Sequence, residues 1–141
     1  MAQLPRVLGA LLADVSHLAL LDLSFNKLTR IEPALGTLVN LEMVRLHTNQ
    51  LEHIEDLVHL KPLKQLKRLT LMSNPFEAKT PDYRCLIGSS LPSLKSLDNV
   101  RITKSELVLF AAYAESSRGK KALLLLPRRS RQARPDSGSA Y

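Results

Sequence analysis

A chain of 141 residues with 45% apolar side chains suits one globular domain, and its single cysteine excludes an intrachain disulfide framework. Aromatic residues make up only 4%, so leucine must supply most of the core, which fits thin stacked layers better than a bulky centre. The formal charge of +7 is lopsided: residues 1–117 hold 13 basic and 12 acidic residues while residues 118–141 hold 7 and 1, so the basicity belongs to a tail and not to the domain.

In chain order, residues 1–17 come first, with LPRVLGALLADVSH over 4–17. The apolar run from Val7 to Ala13 after Arg6 is at the lower limit for a signal-peptide core, and an amphipathic helix is the expected reading. A phrase then recurs. From Leu18 the chain reads LALLDLSFNKL, from Leu41 LEMVRLHTNQL and from Leu66 LKRLTLMSNPF, with Asn26, Asn49 and Asn74 spaced by 23 and 25 residues. LxxLxLxxN at a fixed period between 20 and 29 residues is the mark of a leucine-rich repeat. The repeats divide as 18–40, 41–65, 66–93 and a partial 94–98.

Two-residue spacing puts Leu21 with Leu23, Val44 with Leu46, and Leu69 with Leu71 on one face of three short strands. Stacking these strands predicts a parallel ladder on a concave face. Each asparagine stands where the chain leaves the strand, and its amide can bond backbone groups that would otherwise be buried and unpaired. The return segments carry Ile31, Leu35 and Leu38, then Ile54, Leu57, Leu60 and Leu63, which predicts short helical or 3₁₀ legs on the convex side. Pro81 to Ile87 predicts a true helix, and Leu91 to Asp98 a last strand. Thr103 and Glu106 predict a capping box opening a cap helix over about 104–116, within residues 99–117, with Leu107, Phe110, Ala111 and Ala114 on its packed face. Residues 118–141 read as a disordered basic tail. The predicted fold is thus α/β: a right-handed solenoid with a parallel sheet, convex legs and a C-terminal helical cap. Three full phrases and a fourth partial one predict a marginally stable domain.

The segment NPFEAKTPDYRCLIGSSLPSLKSLDNVRITKSE resembles the C-terminal cap of a group of intracellular leucine-rich repeat proteins. That group includes the phosphatase-regulatory repeat protein, the U2 snRNP A-prime protein and axonemal dynein light chain 1. The matching residues are Asn74-Pro75, Tyr83-Arg84, Leu91 through Asp98, and Ile102-Thr103 with Glu106. The phrase DLSFNKLTRIEPALGTLVNL is most similar to small ciliary and flagellar members. The resemblance implies a cytoplasmic location, with the cilium as a finer expectation and the nucleus as the alternative. The lone cysteine and the lack of an Asn-x-Ser/Thr acceptor agree with a reducing compartment. No apolar run approaches the roughly 18 residues a membrane span needs. Residues 4–17 read as the convex leg of a repeat whose strand is missing. That makes Leu20–Leu23 an exposed sheet edge open to self-association, and the chain a shortened form or fragment of a longer protein.

Catalytic chemistry finds little support. His47, His53 and His59, with Glu52, Glu55 and Asp56, fit no usual zinc spacing, so no metal or cofactor is expected. Ser89, Ser90 and Cys85 lack a nucleophile elbow. The expected site is the concave face, where outward strand residues form three columns. These are Leu20, Met43, Arg68 and Ser96; Asp22, Arg45, Thr70 and Asp98; and Ser24, His47 and Met72. Methionine and arginine are adaptable, interface-prone residues, and Asp22 and Arg45 are placed to pair. The expected function is a non-enzymatic scaffold that binds a protein partner there. The alternatives are a ribonucleoprotein subunit and a phosphatase-type regulatory subunit. For the first, Lys120, Lys121, Arg128, Arg129, Arg131 and Arg134 of the tail would contact RNA.

Overall fold

The computed structural model describes residues 17–124. Residues 4–16 and the tail arginines 128, 129, 131 and 134 lie outside the described residues. Strand β1 (Leu20–Asp22) is followed by a 3₁₀ leg (Pro33–Thr37), β2 (Met43–Arg45), a second 3₁₀ leg (Ile54–Leu60) and β3 (Arg68–Thr70). Helices α1 (Pro75–Lys79) and α2 (Tyr83–Ser90), strands β4 (Ser96–Leu97) and β5 (Val100–Arg101), and helices α3 (Lys104–Glu115) and α4 (Ser117–Leu123) complete it.

The five strands form one sheet in chain order. β1 to β4 pair in parallel, with Leu21, Val44, Leu69 and Leu97 in one row. Val44, Leu46, Leu69, Leu71 and Leu97 are buried against Ile31, Leu35, Leu38, Leu57, Leu60 and Leu63 of the return segments. Each leucine phrase therefore closes one layer of core, and each buried leucine contributes roughly 1.5–3 kcal/mol before ordering entropy. Leu18, Leu21 and Leu23 are only partly buried, since no strand pairs the outer edge of β1 among the described residues. The two legs pack closely because Gly36 has no side chain: a Cβ there would stand 2.5 Å from the His59 carbonyl oxygen.

The ladder is not parallel throughout. β5 runs antiparallel to β4, with Leu97 opposite Val100. The two residues between them, Asp98 and Asn99, have φ of 52° and 65°. Left-handed conformations at both central positions are what a tight two-residue hairpin demands, and Asp and Asn tolerate them. The chain so reverses where a fourth phrase would need its third leucine.

The same region of φ recurs just before each asparagine: Phe25 at 57°, Thr48 at 58° and Ser73 at 61°. For an ordinary L residue this costs about 1–2 kcal/mol, and a β-branched threonine is poorly suited to it. Thr48→Asn should therefore stabilise the fold by about 1 kcal/mol, seen as a higher urea midpoint with an unchanged slope.

Two sequence expectations for the cap are corrected. The capping box is present, with the Glu106 N–H donating to Thr103 Oγ1 at 3.1 Å and the Thr103 N–H to Glu106 Oε1 at 3.2 Å. The packed stripe, however, is Glu106, Phe110, Tyr113 and Ala114: Phe110 and Ala114 pack as expected, while Leu107 and Ala111 are exposed. The phase is set by Gly88 on α2, where a Cβ would run into the Phe110 ring; the bare backbone there admits Phe110 and rotates Leu107 outward. The second correction concerns residues 118–124; the expectation for residues 125–141 lies outside the described residues. Residues 117–123 form α4, whose N-cap Ser116 accepts the Gly119 N–H at 2.9 Å, and Ala122 and Leu123 pack on the core. Arg118 Nη1 donates to Asp82 Oδ2 at 2.9 Å. Lys120 and Lys121 accordingly sit exposed on a docked helix, not in a disordered tail.

Candidate functional site

The concave face is held up by a ladder of amides. Asn49 Nδ2 donates to the Leu46 carbonyl of its own strand at 2.9 Å and to the Leu23 carbonyl of the preceding repeat at 3.0 Å. Its Oδ1 accepts the Leu28 N–H at 3.1 Å. Asn74 repeats this one layer on, donating to Leu71 at 2.8 Å and Leu46 at 3.1 Å and accepting from Leu51 and Asn49 at 3.1 and 3.2 Å. Both are buried. Asn26 is partly exposed and, among the described residues, donates only to carbonyls of its own repeat, Leu23 and Ser24. Bonding back to the preceding repeat fixes the spacing of successive strands, and hence of the residues they present.

On the presenting side, strand register sets Leu20, Met43, Arg68 and Ser96 abreast, and Asp22, Arg45 and Thr70 beside them. Leu20 is 50% exposed; Asp22 and Arg68 are exposed, and Met43, Arg45, His47 and Met72 are half-buried. Arg45 Nη1 lies 3.5 Å from Asp22 Oδ2. The Asp22 carboxyl is held below the ordinary carboxylate range first by the Ser24 hydroxyl and backbone N–H, with Arg45 adding to it. This ion pair is open to water, so it orients Arg45 more than it stabilises the fold.

Two members of the expected surface belong to its support. Thr70 is 4% exposed, so it is no contact residue. Its Oγ1 lies 2.7 Å from His47 Nδ1 and Arg45 stands abreast of it, and together they leave little of it in contact with solvent. Phe25 meets His47 edge-on at a centroid distance of 5.4 Å, which fixes the imidazole from the other side. Asp98 likewise turns inward. Its Oδ1 accepts the Leu71 and Met72 N–H groups at 2.6 and 3.1 Å, and its Oδ2 the Tyr83 hydroxyl at 3.0 Å. Burial first, and then Asp98, pushes the Tyr83 hydroxyl far up, so it stays a donor.

Sequence reasoning missed Asp56 and undervalued Arg84. Asp56, buried between the legs, accepts Arg30 Nη2 at 2.7 Å, Arg30 Nε at 2.8 Å and the Ile31 N–H at 3.0 Å, clamping the first repeat to the second. An acidic residue inside an apolar 3₁₀ leg was the available signal. Arg84 joins α2 to everything after it, donating to both Glu106 oxygens at 2.6 and 3.0 Å and to the Leu97, Val100 and Arg101 carbonyls. Cys85 is partly buried, and desolvation pushes its thiol up, away from the thiolate a nucleophile needs. Among the described residues no group of three or more His, Cys, Asp or Glu is placed to hold a metal, and no helix is long and apolar enough to cross a membrane.

A family model described as leucine-rich repeat matches residues 11–125. The chain is 38% identical over 101 residues to leucine-rich repeat-containing protein 51 of Macaca mulatta, covering 72% of this chain and 52% of that protein. The Homo sapiens protein of that name is 36% identical over the same coverage. The chain thus spans about half the length of the curated relatives it matches. Among solved structures, a chain of the Drosophila melanogaster SNF/U2A′ complex superposes with a TM-score of 0.68 at 28% identity, over 76% of this chain and 62% of that one.

Proposed function

This chain belongs to the leucine-rich repeat family, and from that premise we propose that it is a non-catalytic protein-binding module that takes its partner on the concave face. The observation carrying this reading is the cluster of Leu20, Met43, Arg45, Arg68 and Met72, presented on a rigid ladder with His47 locked between Thr70 and Phe25. Apolar, deformable side chains beside oriented guanidinium groups are the composition of a protein interface. The similar Drosophila chain comes from a complex, which agrees with it.

The partner is a protein helix or loop within a cytoplasmic or ciliary assembly. The ciliary part rests on the likeness of residues 22–41 to small ciliary members. Proximity labelling with the tagged chain in ciliated and unciliated cells tests it. Axonemal neighbours confined to ciliated cells are the expected result; nuclear ribonucleoproteins or a phosphatase in both cell types would contradict it. Met43→Glu with Arg45→Glu should abolish capture of those neighbours while far-UV circular dichroism stays unchanged, since both side chains lie outside the buried core.

A further inference from the structure

A groove of about 560 Å³ runs between the starts of β3 and β4 and the cap helix α3; it takes in Arg68 and Ser96, the far end of the Leu20–Met43 column, and none of Met43, Arg45 or Met72. Its floor is apolar, made by Leu94, Ile102 and Leu107. Its rim is cationic, with Arg68, Lys95, Arg101 and Lys104, and no acidic side chain lines it. All four cations are exposed, and none makes an ion pair among the described residues. Glu106, on the same helix as Lys104, is engaged by Arg84. Leu107 is 52% exposed and Val108, next to it, 70%. Four uncompensated positive charges around a wall of exposed leucine focus a positive potential on an apolar surface.

We propose that this groove is a second docking surface, which receives an acidic protein segment bearing an apolar side chain between carboxylates. The carboxylates meet Lys95, Arg101 and Lys104, and the apolar side chain covers Leu107 and Ile102. A single-stranded nucleic acid satisfies only half of this, because the groove has no aromatic platform for bases and would leave its leucine floor unused. The groove shares Arg68 and Ser96 with the concave face, and Lys95, Lys104 and Leu107, which lie outside the concave columns, separate the two readings.

Fluorescence anisotropy on the full chain tests it with three labelled probes of equal length: a peptide of Glu-Leu-Glu repeats, polyglutamate and oligouridylate. The Glu-Leu-Glu peptide should bind about tenfold more tightly than either of the others, and more weakly as salt rises. Lys104→Glu with Leu107→Asp, and separately Lys95→Glu, should each weaken it by about tenfold or more. These side chains are exposed, so both variants should keep the wild-type circular dichroism spectrum. Arg45→Glu, a concave-face change outside the groove lining, should leave peptide binding intact. Equal binding of polyglutamate or oligouridylate would reduce the groove to a polyanion surface and overturn the proposal. So would unchanged affinity in both groove variants, or loss of binding in the concave variant.

Discussion

Asn74→Ala should cost about 3–5 kcal/mol, since it leaves the buried Asn49 and Leu51 N–H groups without an acceptor and removes a donor from the Leu46 and Leu71 carbonyls. Each stranded buried group costs about 1–3 kcal/mol, and a small domain has only about 5–15 kcal/mol to lose. Asn49→Ala should follow closely, because it strands the Leu28 N–H and drops the bond to Leu23. Asn26→Ala should cost about 1 kcal/mol or less, as Asn26 donates, among the described residues, only within its own repeat. Urea denaturation of the three variants gives the ranking directly. Equal losses at all three positions would mean that the asparagines act as local turn formers and not as ties between repeats.

Arg84→Ala should cost about 2–3 kcal/mol and loosen the cap as a unit, because one guanidinium bonds β4, β5 and α3 to α2. The same variant should change the response to acid. The Glu106 carboxyl is held below its ordinary range first by the Arg84 hydrogen bond and then by the Thr103 N–H. A carboxyl whose folded value is lowered contributes stability that is present above the unfolded value and lost as pH falls through the folded one. Wild-type stability should therefore fall as pH drops through and below the ordinary carboxylate range, and Arg84→Ala should flatten that fall. An undiminished acid slope in the variant would show that Glu106 owes its lowered value to other groups. His59 adds in the same direction: burial lowers it, so protonation below about pH 6.5 opposes folding.

The strands and legs were legible because leucine phase is a property of each repeat alone. Leu21, Val44 and Leu69 fall in register as soon as the phrases are aligned. What escaped depends on residues far apart in the chain. Thr70 has an outward phase, yet His47, 23 residues earlier, folds onto its hydroxyl. Asp56 looks like a polar interruption until Arg30 arrives from 26 residues away. The packed face of α3 turns on Gly88, whose missing side chain admits Phe110, and no helical periodicity within residues 104–115 records that. The antiparallel β5 has a local signal in the turn dipeptide Asp98-Asn99, but the leucine phrase running up to Asp98 masks it. Helix α4 has too few apolar residues to signal itself, and its docking rests on Ser116, Gly119 and the Arg118–Asp82 pair.

The proposed partner sits on the concave ladder. A photo-crosslinking residue in place of Met43, compared with one in place of Val39 between the first 3₁₀ leg and β2, tests it most directly in cells. Both positions reach solvent, and they lie on opposite sides of the core layer. A covalent adduct formed from position 43 and absent from position 39 is the predicted result. An adduct from position 39 alone would contradict it and move the interface to the convex side.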